Sequence, residues 1–308
     1  MIQTELKPVS VYRSTDTNAP QLTNAAGSLK TVLKACLVEG YGSQASLGWE
    51  MKYEDTTSAV FRSKDPKASN TALQIKNTGT SYADPAMLVE PVGLDQAKKV
   101  IADTSKRFQY WRSPLSSNRW MLIGHGRAFA LLVKGSVKSR LLWFGDFPSL
   151  AAGDTGNCAM FYTSDGISLQ MSNSSYMAPR VLGANGSTGS TFFTLAKSFN
   201  GLAMGVAAIM SSLCATFQRQ DFPDLITNGL SISECYLNER IGNGDSKIPL
   251  RGLLPGCYWC ANDLSAVEEW TDMGNFVGSD DHFINCGISD VNNDSGNIML
   301  INTTAWRA

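Results

Sequence analysis

The sequence predicts a mainly β (α+β) protein: antiparallel sheets of sandwich- or barrel-like form, with one clear amphipathic helix near the N-terminus. Three observations carry that reading. Short runs of strand-forming residues, several alternating apolar with polar side chains, recur along most of the 308 residues. Turn-forming clusters separate them, and most of the 27 glycines fall in those clusters. A helical period of about 3.6 residues stands out in one place only, around residues 28–40.

Residues 9–13 read as an extended strand, followed by a polar loop through Pro20. Ser28 is placed to cap the helix by accepting a backbone N–H bond, and Leu29, Val32, Leu33, Cys36 and Leu37 share one face. Gly40 supplies the stop. Residues 58–62 and 71–77 then predict an antiparallel pair with a long polar connection. Residues 86–92 continue that sheet, with Pro91 pushing its end toward an edge.

From residue 108 the strand candidates come close together: 108–112, 119–123, 129–133 and 141–144. A spacing of roughly 8–12 residues points to a sandwich or barrel. The segment Gly124-His125-Gly126-Arg127 reads as a hairpin turn in which glycine tolerates positive φ. Further turn clusters lie at 153–154, 165–166, 183–186, 242–245 and 292–296, and residues 257–260, 282–286 and 297–302 are strand-like. Two domains are expected, a strand–helix–strand unit at 1–103 and a β-rich unit at 104–308, with one continuous domain as the alternative.

Composition removes several function classes. With 26 Lys and Arg against 27 Asp and Glu, the chain lacks the basic surplus that neutralising nucleic-acid phosphates requires. Charged residues make up 17% and hydrophobic residues 43%, which excludes wholesale disorder. The polar start at Met1 resembles no secretory signal, so synthesis in a cytosol is expected. Seven cysteines, an odd number over a long chain, suit reduced and buried thiols better than a disulfide framework. Residues 202–217 carry no charge, yet they are too few and too rich in Gly, Ala and Ser for a membrane span of about 20 residues. That stretch is expected to be buried or to face a partner, through Leu202, Val206, Ile209, Met210, Leu213 and Phe217.

Chemistry-bearing motifs are sparse, and no catalytic, cofactor-binding or metal-binding residue is assigned. Only two histidines occur. His125 sits at the expected turn tip, where a solvated imidazole is the plain explanation, and His282 follows Asp280 and Asp281 without the further ligands a metal site needs. Cys257 and Cys260 have the spacing of a redox pair or half a zinc site, but residues three apart in a strand point to opposite faces, so two packed thiols are expected. The run from Asp290 lacks the glycine and glutamate of an EF-hand, and no GxxxxGK[ST], GxSxG or HExxH motif occurs. Tyr110, Trp111, Trp120, Trp143, Tyr258, Trp259 and Trp270 could stack on sugars at a lectin-like surface, although core packing is the ordinary use of aromatics in strands.

The segments Val11-Tyr12-Arg13-Ser14-Thr15-Asp16-Thr17-Asn18-Ala19-Pro20, Gly27-Ser28-Leu29, Cys36-Leu37-Val38-Glu39-Gly40-Tyr41-Gly42-Ser43 and Gly48-Trp49 resemble the start of a group of uncharacterised virion structural proteins of tailed bacteriophages. Tyr110-Trp111-Arg112, Phe144-Gly145-Asp146-Phe147 and Leu254-Pro255-Gly256 extend the resemblance through most of the chain, which departs from the pattern between Cys257 and Asp272. The resemblance implies a non-enzymatic virion component, made in the host bacterial cytoplasm. It would assemble with itself and other virion proteins in the tail or head–tail region, without membrane span or specific nucleic-acid binding. A capsid-decorating protein or a host-glycan-binding adsorption module is the alternative, and an envelope hydrolase would need a nucleophile and base that the sequence does not assemble.

Overall fold

The computed structural model describes residues 5–77, 82–89, 99–101, 108–110, 119–135, 139–151, 153–163, 180–182, 191–201, 204–212, 222–223, 228–239, 250–274, 280–289 and 298–308. Pro91, Trp111, Leu202, Leu213, Phe217 and the turns expected at 165–166, 183–186, 242–245 and 292–296 lie outside them. In chain order the elements are β1 (Leu6–Pro8), β2 (Ser10–Arg13), α1 (Ser28–Lys34) with a π-helical extension (Ala35–Glu39), β3 (Trp49–Glu54), β4 (Ser58–Ser63), β5 (Thr71–Lys76), β6 (Tyr82–Val89), β7 (Lys99–Ile101) and β8 (Phe108–Gln109). There follow β9 (Trp120–His125), β10 (Ala128–Val133), β11 (Arg140–Asp146), β12 (Cys158–Thr163), β13 (Arg180–Leu182), β14 (Thr191–Lys197), β15 (Met204–Ser212), β16 (Ile232–Glu239), β17 (Leu250–Cys260), β18 (Phe283–Ser289), β19 (Ile298–Asn302) and β20 (Ala305–Arg307).

The mainly β, antiparallel prediction holds, and among the described residues no sheet closes into a barrel. One long sheet runs β18-β19-β17-β16-β15-β14-β12-β11-β10-β9-β2, with β13 paired to β15. A second runs β3-β4-β5-β6-β7, with β8 paired to β6, and β1 and β20 form a separate two-stranded ribbon. The pair expected at 58–62 and 71–77 is β4 against β5, in a register that sets Phe61 opposite Leu73.

Strands β9, β10 and β11 are buried at every position. Their side chains alternate between two cores, as a pleated strand requires. Trp120, Leu122, Phe129, Leu131, Val133, Leu142, Phe144, Met160 and Tyr162 face a core shared with α1 and with the inner face of the second sheet, including Phe61, Leu73, Ile75 and Met87. Met121, Ile123, Ala130, Leu132, Leu141, Trp143 and Phe161 face the other way, toward Met210, Leu237, Trp259, Ile284, Met299, Ile301 and Trp306. Apart from Trp306 of β20, the second group belongs to strands of the same hydrogen-bonded sheet, so the long sheet folds over and its far half covers its near half. The first core draws on both 1–103 and 104–308, and β2 pairs directly with β9.

The helix keeps its predicted stripe: Leu29, Val32, Leu33, Cys36 and Leu37 are all fully buried. Its cap differs from expectation. Gly27 holds the N-cap position at φ 81°, with no side-chain cap. Ser28 Oγ instead accepts from Thr23 N and donates to Gln21 O, while Leu29 N donates to Asn77 Oδ1, at the end of β5. Tertiary contact thus supplies the acceptor that local sequence rules assign to Ser28. Gly40, at φ 81°, ends the helix as expected.

The β9–β10 hairpin forms with His125 opposite Ala128, leaving Gly126 and Arg127 as the turn. Neither Gly124 nor Gly126 has positive φ, contrary to expectation. Space makes the demand at Gly124, where a Cβ would lie 2.5 Å from Ala128 O and 2.7 Å from Phe129 Cα. Gly256 combines both needs: its φ is 74°, and a Cβ would meet the Trp306 ring at 2.1 Å. Gly153, at φ 71°, has nothing within 4 Å of such a Cβ. Gly256→Ala should therefore lower stability by about 1–3 kcal/mol more than Gly153→Ala, the difference being overpacking beyond shared backbone strain. Urea denaturation of the two variants measures it.

Candidate functional site

Within the uncharged stretch expected to be buried or to face a partner, residues 204–212 form β15. It is bonded to β14 and β13 on one side and to β16 on the other. Met210 is fully buried in the chain's own second core, which removes it from the residues a partner could touch. Val206 and Ile209 lie within the same strand. With neighbours bonded on both edges, β15 is an interior strand, and the burial of Met210 fits the lack of charge there.

The chemistry-bearing side chains gather elsewhere, in two buried polar clusters. The first centres on Arg251, the second residue of β17, whose side chain is 1% exposed. Its Nε donates to Asp154 Oδ2 at 2.9 Å and its Nη2 to Asp154 Oδ1 at 2.8 Å. Its Nη1 donates to Glu239 Oε2 at 2.5 Å and to Lys197 O at 3.0 Å. Ser149 Oγ and Gly156 N also donate to Asp154, and Phe199 N donates to Glu239 Oε2. Because each carboxylate accepts further bonds, the charges are satisfied inside the fold, and the network locks the loop after β11 to β14, β16 and β17. Leu150, Phe199 and Leu250, three of the large hydrophobic side chains exposed by 46–51%, are tied to it: Leu150 N donates to Arg251 O, Phe199 N to Glu239, and Leu250 precedes Arg251.

The second cluster surrounds the β9–β10 hairpin. His125 is 4% exposed, not solvated at a turn tip, because the turn is only two residues long and Trp306 of β20 packs across the ring at 5.7 Å. Its Nδ1 accepts from Arg127 N at 3.0 Å, and its Nε2 has no hydrogen-bond partner. Burial, with Arg127 and Lys7 nearby, pushes the imidazole down to about 4. Asp65 accepts from Lys7 Nζ and from Lys67 N, and Arg127 Nε stands 3.4 Å from its Oδ2. Asp146 accepts from Ser69 N at 2.6 Å and Ser69 Oγ at 2.5 Å, and burial raises its carboxyl to about 6. Nothing in the sequence signals that Asp65, Arg127 and Asp146 meet: Arg127 stands out only as a turn residue and Asp146 only within the Phe144–Phe147 motif.

The remaining candidates are placed as follows. His282 Nδ1 contacts Asp272 Oδ2 at 2.9 Å rather than Asp280 or Asp281, with both side chains more than half exposed. Among the described residues no group of three or more His, Cys, Asp or Glu side chains could hold a metal. Cys257 faces the second core and Cys260 a small third core, so the pair points to opposite faces as the strand period predicts. Tyr110, Trp120, Trp143 and Trp259 are at most 2% exposed and cannot stack on a sugar. Trp270, at φ 71°, has the Arg119 guanidinium at 5.6 Å and the Lys134 ammonium at 5.7 Å from its ring centre, and its indole N–H donates to Ser139 Oγ.

Comparison with known proteins adds no identification: no family model matches the sequence, and no curated protein matches it significantly.

Arg251→Ala leaves Asp154 and Glu239 buried without their cation, so a loss of roughly 3–5 kcal/mol is expected in chemical denaturation. Arg307→Ala, which removes a partly exposed pair with Glu234, should cost less than about 1 kcal/mol. Asp146 gives a pH signature. Its folded-state carboxyl holds the proton to about pH 6, while the unfolded chain releases it near the ordinary 3.8. The folded state therefore binds more protons in that window, and stability relative to Asp146→Asn should fall as pH rises from 4 to 6, then level off. Denaturation of both proteins at several pH values checks the sign.

Proposed function

We propose that the chain is a structural subunit of a tailed-bacteriophage virion that works through protein–protein contacts, including contacts with further copies of itself, in the tail or head–tail region. The sequence resemblance supplies the virion reading, and the residues that carry it have architectural positions. Tyr12 OH donates to Ala45 O, Tyr41 OH donates to Asp16 Oδ2, and Trp49 Nε1 donates to His125 O. Gly42 approaches Thr17 O so closely that a Cβ would lie 2.5 Å from it. Asp146 holds Ser69, and Gly256 makes room for Trp306. Such residues shape a rigid scaffold.

The observation that carries the assembly reading is the exposure of Leu150, Phe199 and Leu250 beside the Arg251 network. Each has its main chain fixed by, or adjacent to, a buried charge network, so docking a partner there orders few additional groups. A host-glycan module would rest on exposed aromatic platforms, and four of the seven named aromatics are core residues.

Two measurements test the proposal. Mass spectrometry of purified phage particles is expected to find the chain as a component, and its absence from them would sink the virion reading. Light scattering after size-exclusion chromatography is expected to show oligomers that Phe199→Glu with Leu250→Glu reduces to monomers at unchanged melting temperature. A wild-type chain that stays monomeric at high concentration counts against self-assembly.

A further inference from the structure

We propose that His125 is the catch of an acid-released clasp holding the N-terminal strand β1 against the rest of the fold. The inference is independent of the virion reading. Among the described residues strand β1 pairs with β20 alone, through Leu6 with Arg307, Lys7 with Trp306 and Pro8 with Ala305. A ribbon of three residue pairs is marginal by itself and depends on what anchors it. Two anchors reach the β9–β10 hairpin: Trp306 packs against the His125 ring, and Lys7 pairs with Asp65, which Arg127 also approaches.

His125 can serve this arrangement only when neutral. Its Nδ1 accepts the Arg127 backbone N–H, so the single ring proton resides on Nε2, turned into a buried setting with no acceptor. A second proton would have to enter at Nδ1, which places two N–H groups face to face and destroys that bond. The resulting cation would face Arg127 from its own turn, Lys7 from β1 and Asp65 from the loop after β4, while the packed Trp306 and Trp49 carry no charge. One carboxylate, already shared by two cations, cannot compensate a third. The new charge repels Lys7 and competes for Asp65, so the anchor of β1 weakens. Trp306 keeps its indole bond to Asn302 O and its seat over Gly256, which leaves β1 as the element that departs.

The sign follows from the lowered imidazole value. The clasp is fully closed above the ordinary histidine value of 6.5 and weakens as pH falls through about 4. Because the released imidazole takes up its proton near 6.5 and the clasped one only near 4, β1 protection should drop about tenfold for each pH unit between those values and level off below them.

Only two histidines occur, so a His282→Gln protein leaves His125 as the sole imidazole signal in proton NMR. Followed from pH 7 to pH 3, that signal should titrate near 4, with hydrogen-exchange protection of the Leu6 and Lys7 amides lost as pH falls toward that midpoint and the β9–β10 amides still protected. Lys7→Gln removes a repelling cation and should move the midpoint upward. In His125→Asn, β1 should stay protected at the wild-type release pH; release at an unchanged pH would assign the event to Asp65 or Glu5 and overturn the proposal. Should that variant not fold, the His282→Gln titration decides, because a midpoint near 6.5, or β1 exchange that ignores it, overturns the proposal equally.

Discussion

The constraint on which the structure depends is that the strands β9, β10 and β11 have no face left for water. Every side chain along them is buried, with Leu131 packing one way and Leu132 the other. An antiparallel sheet commonly keeps one face wet. Here both faces are apolar, so each must be covered, and the chain does this by two different means. The N-terminal third provides α1 and a second sheet for one face, and the C-terminal third extends the same sheet until it returns over the other. The free energy of this arrangement comes mainly from apolar area removed from water by large side chains such as Trp120, Trp143 and Trp259.

A sheet folded over on itself creates buried ends as well as buried faces, and the polar clusters sit at those ends. Arg251 enters from β17 with its main chain against Leu150, so two carboxylates and several main-chain groups had to be gathered around it. The cost of desolvating three charged groups is high, and a network of this kind is better understood as fixing how the loop after β11 meets β17 than as a net source of stability. The hairpin end uses weaker means. A neutral histidine, a buried carboxyl with a raised value and a shared ion pair meet where the terminal ribbon closes over the turn. The Arg251 cluster answers its charges inside the fold, whereas the hairpin cluster sets two cations, Lys7 and Arg127, against the one carboxylate of Asp65.

Much of the fold is legible in the sequence for a local reason. Runs such as 129–133 and 141–144 are apolar without alternation, which signals strands covered on both sides, while 71–77 alternates as a strand at an outer sheet does. The helix stripe and its Gly40 stop are equally local. The polar clusters were not legible, since Asp65, Arg127, Asp154 and Glu239 stand far apart in the chain and in ordinary turns or strand ends. Arg251 left a faint trace, as a lone charge heading the long apolar strand β17. The uncharged 202–217 segment is legible only in part: an apolar run reports burial but not what does the burying, and within β15 Met210 packs into the chain's second core.

By itself, then, the sequence determined element type, the strand-rich class and the opposite facing of Cys257 and Cys260, all of which follow from periodicity over a few residues. The tertiary structure decided that Ser28 does not cap its helix, that His125 is buried and neutral, and that Arg251 finds Asp154 and Glu239. Each of those outcomes hangs on a partner distant in the chain, and a hydrogen bond or desolvation energy is set by who arrives in space, which spacing along a sequence does not encode.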